Sequence, residues 1–255
     1  MLAVDRRKQL MEYLSEHESA TRQELAQALS VTPMTIGRDF KMLEQKGLLR
    51  TTHGGAMLPD NLADEYLYKS KKAENKNIKV RLAAEAVKLV RDGMTVVLDA
   101  GTTTFEIAEA LKKSSFQHLT VITCDLYIAL HLYQCENIRV IILGGEVLSE
   151  TGATATDVSV RQLEMYNADI SFVGTSSVTS DFYLGVPQES KVFLKQMMFK
   201  MSLTSVLVTD KSKFGKKKLY KAVGLDEFSL IITDYKFTEV ELDKYGLFGK
   251  VRLIL

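Results

Sequence analysis

The residues of this sequence that could do chemistry fall in a few short stretches, and the first of these is LDAGTTTFEIA. In it Asp99 and Gly101 precede three consecutive threonines, Thr102, Thr103 and Thr104, where an apolar run gives way to a helix-forming one. Backbone N–H groups, hydroxyls and the positive end of a helix dipole meet at such a helix start, and each attracts an anionic phosphate. A threonine-rich start that caps only its own helix is the alternative.

Two further stretches have residues of the same kind. ILGGEV places Gly144 and Gly145 after an apolar run, and VTDKSKFG places Asp210 and Lys213 after another. Glycines let the backbone approach a ligand closely, and a lysine supplies a full positive charge to a phosphate. Taken singly, a glycine pair is more typical of a turn, and the lysines from Lys211 to Lys221 are more typical of a solvated surface.

A different chemistry is indicated by VTPMTIGRDFKMLEQKGLLRTTHGG near the N-terminus. At the helical repeat Ile36, Phe40 and Leu43 share one stripe, so the opposite side has no apolar reason to be buried. That side carries Met34, Arg38, Lys41 and Gln45. It suits the major groove of DNA, with the first residues at base edges and the later ones nearer phosphates. An ordinary solvated helix face is the alternative.

Two preceding helices are predicted to support this face. Apolar spacing indicates the first between Asp5 and His17, and the second starts at TRQEL. There Thr21 and Glu24 have the spacing of a capping box, in which each side chain binds the other residue's backbone N–H. The buried face of the second helix is predicted to contain Leu25, Ala28 and Leu29.

The third helix and the segment after it complete a winged helix-turn-helix. Thr32 is placed to cap this helix, Pro33 suits its first position, and Gly47 suits its end. LLRTTHGGAML then predicts a strand, a Gly-Gly turn and a second strand, which form a wing beside the DNA backbone. The predicted DNA-binding residues are Thr21, Thr32, Met34, Thr35, Arg38, Lys41, Arg50, Thr52 and His53.

The remainder of the chain divides into a linker and a larger domain. We predict a DNA-binding domain over residues 1–58, a polar linker over 59–77 and an α/β domain over 78–255. The lysines in and just after the linker indicate a solvated segment or contacts to DNA phosphates. They are Lys69, Lys71, Lys72, Lys76 and Lys79.

The larger domain alternates apolar strand-like runs with helix-forming runs, from TVVLDA to KVRLIL. This alternation predicts a mostly parallel sheet covered by helices on both faces. Ligands of such sheets bind beyond the carboxyl ends of the strands. Because the three glycine- and lysine-bearing stretches each follow a strand, we expect them to open on the same sheet edge.

Both regions resemble the DeoR family of bacterial transcription regulators. MTIGRDFKMLEQKGLLRTTHGGAML resembles the family's DNA-binding segment, and DAGTTT, LGGEV and DKSKFG resemble motifs of its effector domain. The resemblance runs from about Asp5 to Asp234. It implies a fold similar to ribose-5-phosphate isomerase that senses phosphorylated sugars. The effector-site residues that it implies are Asp99, Gly101, Thr102, Thr103, Thr104, Cys124, Gly144, Gly145, Lys195 and Lys213.

Several positions depart from the family pattern. Gly37 stands where an arginine is usual, Cys124 where an asparagine is common, and Ser176 where an acidic residue is common. Ser190 and Lys191 replace a glutamate pair. These departures imply a changed operator preference and an altered sugar-reading half of the pocket, while the phosphate-reading loops keep the family's residues.

Composition restricts the classes of protein to consider. The 255 residues carry a formal net charge of +1, so any surface for nucleic acid must be local. Two cysteines without neighbouring ligands at metal-binding spacing predict a reduced cytoplasmic protein with no metal, and we expect no cofactor. No apolar run approaches the ~18 residues of a membrane span, and the start lacks a signal peptide.

These features together predict a transcriptional repressor of carbohydrate-metabolism genes. Its predicted partners are operator double-stranded DNA, a phosphorylated sugar or related effector, and further copies of itself in a dimer or tetramer. One alternative is a sugar-phosphate isomerase with a DNA-binding appendage, for which Asp99 or Asp181 would be the base. Another is a DNA-binding regulator that responds to no effector.

Overall fold

The computed structural model describes residues 2–17, 19–45, 48–57, 71–149 and 151–254. The chain divides into two compact units, one over Met1–Glu74 and one over Asn75–Leu148 and Gly152–Leu255. The predicted helix stop at Gly47, the linker residues up to 70 and Lys69 lie outside the described residues. Within the described part of the chain, none of the helices combines the length and apolar character that crossing a bilayer requires.

The N-terminal unit has three helices and a small antiparallel sheet of order β1-β3-β2. In chain order its elements are α1 Ala3–His17, β1 Ser19–Thr21, α2 Arg22–Ala28, α3 Pro33–Gln45, β2 Arg50–Thr52 and β3 Gly55–Met57. The predicted winged helix-turn-helix is confirmed. Strand β1, which joins the wing to the helices, was not predicted.

The core of this unit is formed by apolar residues of all three helices. Leu10, Leu25, Ile36 and Phe40 are each almost fully buried, as the helical spacing predicts. The prediction for Ala28 is wrong, because α2 buries Ala26 and leaves Ala28 exposed. The buried residues of this short helix and its C-terminal cap are therefore Leu25, Ala26 and Leu29.

The two glycines of the wing have different roles. The turn consists of His53 and Gly54, and Gly54 has a φ of 103°, a left-handed value that favours glycine. Gly55 lies in β3 opposite Thr21. A Cβ atom there would lie 2.3 Å from the backbone oxygen of Ala20, so only glycine lets β1 pair with β3. The predicted Gly-Gly turn is thus a His-Gly turn followed by a strand glycine.

The C-terminal unit is built on a seven-stranded sheet of order β13-β12-β10-β7-β4-β5-β6. All neighbouring strands are parallel. Its strands are β4 Thr95–Leu98, β5 Leu119–Thr123, β6 Ile138–Ile142, β7 Ala168–Val173, β10 Ser202–Thr209, β12 Leu230–Thr233 and β13 Val251–Leu253. The helices are α4 Lys76–Val87, α5 Thr102–Lys112, α6 Leu126–Leu132, α7 Asp157–Leu163, α8 Glu189–Lys200 and α9 Glu239–Lys244.

The sheet is buried because each of its faces packs against helices, which gives two apolar clusters. This confirms the predicted mostly parallel α/β domain. A second sheet, antiparallel and of order β11-β9-β8, was not predicted; its strands are β8 Ser177–Val178, β9 Tyr183–Val186 and β11 Tyr220–Gly224.

The start of the C-terminal unit also differs from expectation. Helix α4 begins at Lys76, inside the predicted linker. Lys79 is only 2% exposed. The prediction that Lys79 is solvated or contacts DNA is therefore wrong, because it lies on the same buried side of α4 as Leu82 and Ala83.

Candidate functional site

The start of α2 is fixed by the predicted capping box. The Thr21 hydroxyl oxygen accepts the Glu24 N–H at 3.2 Å, and the Glu24 carboxylate accepts the Thr21 N–H at 2.8 Å. These hydrogen bonds hold the pKa of Glu24 below its ordinary value. Thr21 therefore orients α2, and its hydroxyl already has a partner.

Helix α3 presents the predicted exposed face. The Thr32 hydroxyl oxygen accepts the Thr35 N–H at 3.3 Å and thereby caps the helix, with Pro33 at the first position. Met34 is 70% exposed, and Arg38 and Lys41 are exposed as well. The side chains expected to contact bases and phosphates thus point away from the core of this unit.

An ion pair that the sequence reading missed holds α3 against α1. Arg6 donates to both carboxylate oxygens of Asp39, at 2.6 and 3.2 Å. Asp39 is almost fully buried next to Phe40, and a carboxylate there requires a cation. The signal was available, since Asp39 adjoins the apolar stripe. The pair fixes the direction of α3, and with it the exposed face.

The wing is tied to the end of α3 in a similar way. The Glu44 carboxylate accepts the Thr51 N–H at 3.0 Å and the Thr51 hydroxyl at 2.5 Å. These bonds lower the pKa of Glu44. Arg50, Thr52 and His53 are exposed. The wing therefore presents the three residues predicted to lie beside the DNA backbone.

The second candidate site lies at the carboxyl edge of the large sheet, where the β4–α5 loop begins. Asp99 accepts the Ala100 N–H at 2.9 Å, and the Gly101 N–H donates to Asp125 at 3.0 Å. The Thr104 hydroxyl donates to the Gly101 carbonyl at 2.9 Å and is buried. Some of the polar groups of this loop are thus already hydrogen-bonded within the protein.

Other polar groups, at the start of α5, remain available for hydrogen bonds. The backbone N–H groups of Thr103 and Thr104 have no acceptor among the residues that the structure describes. They lie in the first turn of an 11-residue helix, at the positive end of its dipole. Thr102 and Thr103 are partly exposed beside them. This helix start is the part of the stretch suited to an anion.

Asp99 and Lys195 are brought together as a buried ion pair. The Lys195 Nζ contacts Asp99 and also donates to the Gly174 carbonyl at 2.6 Å. Asp99 in turn accepts the Gly174 N–H at 3.1 Å. The two side chains are 4% and 7% exposed. The charge of Lys195 is therefore balanced within the protein, and the pair joins the ends of β4 and β7 to α8.

Asp125 is a residue of this edge that the sequence reading did not single out. It is fully buried and caps α6 by accepting the N–H groups of Tyr127 and Ile128 at 2.8 and 3.1 Å. With Gly101 as its third donor it connects the loops that follow β4 and β5. Burial raises the pKa of Asp125 to about 6. An aspartate between a strand and a helix was the signal for it.

Cys124 precedes Asp125 and is also fully buried. Burial raises the pKa of its thiol, so the sulfur is kept uncharged. Its carbonyl accepts the Thr154 N–H at 2.8 Å. The structure places Cys124 at the end of β5 and behind the loop surface.

The glycine pair after β6 is explained by contacts within its own loop. The Gly144 N–H donates to Gln162 at 2.6 Å, and its carbonyl accepts the Ser159 hydroxyl at 2.8 Å. Gly145 has a φ of 128°, and a Cβ atom there would lie 2.2 Å from the Thr156 hydroxyl oxygen. These contacts support the interpretation of the pair as a turn.

The loop after β10 has unused hydrogen-bonding capacity. One oxygen of Asp210 accepts from the Ser212 N–H and Asn75, at 2.9 and 3.3 Å. Its other oxygen and the hydroxyls of Thr209 and Ser212 are buried without a partner in the described chain. Lys213 is partly exposed and forms no ion pair there. Buried polar atoms are normally hydrogen-bonded, so these atoms are candidates for bonding to the polar groups of a ligand.

The topology places these loops at one edge but not all in contact. Hydrogen bonds join Asp99 to Lys195 and Gly101 to Asp125. Strand β6, which carries the glycine pair, lies two strands from β4 on one side, and β10 lies two strands away on the other. The expectation of a common edge is confirmed by the parallel sheet.

The residues considered for isomerase chemistry form ion pairs or hydrogen bonds with other groups of the protein. Asp181 forms an exposed ion pair with Lys221, which lowers its pKa to about 2. Asp99 is held by Lys195 and by two backbone N–H groups. The Ser176 hydroxyl donates to the Gly185 carbonyl at 3.1 Å.

Comparison with known proteins extends over both units. Residues 6–61 match the DeoR-like helix-turn-helix domain, and residues 74–235 match the DeoR C terminal sensor domain. The chain is 34% identical to the uncharacterized HTH-type transcriptional regulator YgbI of Escherichia coli K12, over 92% of this chain and 91% of that protein. It is 28% identical to the glycerol-3-phosphate regulon repressor of the same strain, over 92% of each chain. Ribose 5-phosphate isomerase A from Methanocaldococcus jannaschii matches 57% of each chain with 22% identity and a TM-score of 0.41.

Proposed function

Because the chain belongs to the DeoR family of helix-turn-helix transcriptional regulators, we propose that it represses genes by binding an operator as a homodimer or tetramer. A phosphorylated sugar or related metabolite, bound at the carboxyl edge of the large sheet, releases it from DNA. The protein acts in the cytoplasm, where the operator is.

The DNA-binding half of the proposal rests on the frame of the N-terminal unit. Caps at α2 and α3, the Arg6–Asp39 pair and the Glu44–Thr51 contact fix the two elements that face outward. We propose that the start of α3 enters the major groove and that the wing contacts phosphates. A base-reading helix must be held in one direction before DNA arrives, and this frame meets that requirement.

The effector half rests on one observation above the others, the unused polar atoms at the sheet edge. The first turn of α5 offers two N–H groups that have no acceptor in the part of the chain that the structure describes, and they suit a phosphate. Around Asp210 an oxygen and two hydroxyls are buried without partners among the described residues, and they suit the hydroxyl groups of a sugar or polyol. N–H groups that can bind a phosphate and oxygens that can bind hydroxyl groups lie on one edge of the sheet. This combination supports a phosphorylated sugar or polyol as the ligand.

The name of one relative suggests where to begin. A glycerol-3-phosphate regulon repressor covers nearly the whole of this chain. We propose that this chain is also a repressor, and that small phosphorylated polyols and sugars are the first effectors to test.

Release from DNA requires only a preference between two arrangements of the chain. An effector that binds the DNA-free arrangement more tightly by 1–3 kcal/mol weakens operator binding by about 5- to 150-fold. The effector must therefore contact groups whose positions differ between the two arrangements.

A thermal-shift screen of phosphorylated sugars and polyols tests the effector site, because a ligand of the folded state raises the melting temperature. A duplex selected by the protein from a random pool then serves to measure binding with and without each hit. We expect a shift by at least one compound, loss of that shift in Asp210→Asn, and release of the duplex. A chain that binds the duplex but ignores every compound contradicts the effector half, and one that selects no duplex contradicts the whole proposal.

A further inference from the structure

A groove on the C-terminal unit lies apart from the carboxyl-edge loops. It has a volume of about 420 Å³ and runs between α7 and α8. Its lining residues are Asp157, Val160, Arg161, Glu164, Phe193, Gln196, Met197 and Lys200. Nothing in the proposed DNA or effector contacts uses these side chains.

The direction of the two helices follows from the sheet. Helices α7 and α8 lead directly into β7 and β10, which are neighbouring parallel strands. Each helix therefore runs opposite to the strands, and the two run side by side in the same direction. Asp157 marks the end of the groove near the carboxyl edge of the sheet, and Glu164 and Lys200 mark the other end.

The walls of the groove combine apolar side chains, one exposed and two partly exposed, with charged side chains. Phe193 is 49% exposed, and Val160 and Met197 are partly exposed beside it. Its four charged residues form no ion pair within the described ranges of the chain; they are Asp157, Arg161, Glu164 and Lys200. An apolar strip bordered by charges without partners is typical of a surface that another protein covers.

We propose that a second copy of this chain covers the groove, related by a two-fold axis through its middle. The charges are balanced, two acidic and two basic, as a self-complementary surface requires. The assignment rests on the proposed function, since it names the surface that pairs the operator-reading chains.

The order of the charges selects one way of pairing. A two-fold axis reverses the groove, so that α7 lies antiparallel on α7 or on α8 of the partner. Packing α7 on α7 would bring Asp157 near a second acidic residue, Glu164, and Arg161 near its own copy. Packing α7 on α8 brings Asp157 near Lys200 twice, and Arg161 opposite the uncharged Gln196. The second arrangement is the one that we propose.

The experiment is a charge-reversal cycle read by sedimentation equilibrium of the full chain, without DNA or effector. Asp157→Lys and Lys200→Asp each place like charges in contact at two symmetric positions. We expect each to raise the dissociation constant of the dimer by about 100-fold, which is the effect of losing ~2.8 kcal/mol. The double variant should restore it to within about threefold, a rescue that a merely structural role would not produce.

Two further variants keep the test decisive. Phe193→Glu should also dissociate the pair, while Leu130→Glu should not, because Leu130 is 66% exposed on α6, outside the groove. Unchanged far-ultraviolet circular dichroism checks that each variant folds. A monomeric wild-type chain, an unaffected dimer in Phe193→Glu, or a double variant as weak as the single ones overturns the assignment. Effector and operator binding are measured separately, so their failure is distinguishable.

Discussion

The two candidate functional surfaces of this protein are built in opposite ways. The exposed face of the N-terminal unit stands on polar groups that are satisfied within the unit, such as the Arg6–Asp39 pair and the Glu44–Thr51 contact. The carboxyl edge of the C-terminal unit instead keeps buried polar atoms around Asp210 that have no partner within the described ranges. A surface that binds DNA can have its supporting hydrogen bonds already formed in the free protein. A site that responds to a small ligand instead benefits from polar atoms that become hydrogen-bonded only when the ligand binds.

This comparison predicts that damage to either region stays local. A variant that loosens the frame of α3 should lose operator binding and keep its thermal shift with an effector. A variant at the sheet edge should do the reverse.

Lys195→Ala should cause the largest loss of stability. It leaves the Asp99 carboxylate buried without its cation, which costs about 4 kcal/mol. Urea unfolding of the C-terminal unit measures the change. The matched control is Lys213→Ala, which removes a partly exposed lysine that forms no ion pair with any described residue, and its stability should stay within about 0.5 kcal/mol of the wild type. Equal losses in the two variants would contradict the central role given to the ion pair.

Asp39→Ala should destabilise the N-terminal unit by about 3 kcal/mol, since Arg6 loses its partner in a mostly buried position. Hydrogen exchange of the α1 and α3 amides reports on this unit separately. Replacing both partners, as Arg6→Met with Asp39→Leu, should recover most of the stability, because well-packed apolar side chains substitute for a buried pair. Unchanged exchange in Asp39→Ala would show that the pair does not hold α3.

Asp125 should make the stability of the C-terminal unit depend on pH. Its pKa in the folded protein is about 6, above the ~4 of an unfolded aspartate. The folded state therefore binds the proton more tightly, and the stability that this provides below pH ~4 is lost as the pH rises through 6. Relative to Asp125→Asn, the wild type should lose about 2 kcal/mol over this range. Parallel pH curves for the two proteins would be evidence against a buried, titrating carboxyl.

Gly37→Ala should have the smallest effect and the opposite sign. Nothing lies within 4 Å of a Cβ atom at this position, so alanine should stabilise α3 by about 1 kcal/mol through helix propensity. Gly37→Arg fits the same open space and adds a positive charge beside the DNA-facing side chains, so it should tighten binding to duplexes of any sequence. Melting of the N-terminal unit and binding at several salt concentrations check these effects. A loss of stability in Gly37→Ala would mean that the frame of α3 is tighter than its contacts indicate.

The features that the sequence predicted are the local ones. Capping by Thr21 and Thr32, and the buried stripe of α3, depend on residues a few positions apart, so spacing is sufficient to find them. The order of the parallel strands was not predicted, but the common edge of their loops was, because every parallel strand ends on the same side.

The features that were missed depend on residues far apart in the chain. Arg6 and Asp39 are separated by 33 positions and Asp99 and Lys195 by 96, and only the folded chain brings them together. Strand β1 and the second sheet have two to five residues per strand, too few for an alternating pattern to stand out. Ala28 was predicted to be buried because a seven-residue helix has too few apolar positions to define which side faces the core.

The close approach at Gly55 separates what can vary in this protein from what cannot. Any side chain at Gly55 would clash with the backbone of Ala20, which cannot move aside as a flexible side chain could. Selection at this position should thus be the same whichever genes the protein controls. His53, two residues earlier at the tip of the wing, is exposed and carries no such restriction. The wing residues proposed to lie beside the DNA backbone can therefore differ between related proteins, while the pairing of β1 with β3 beneath them stays the same.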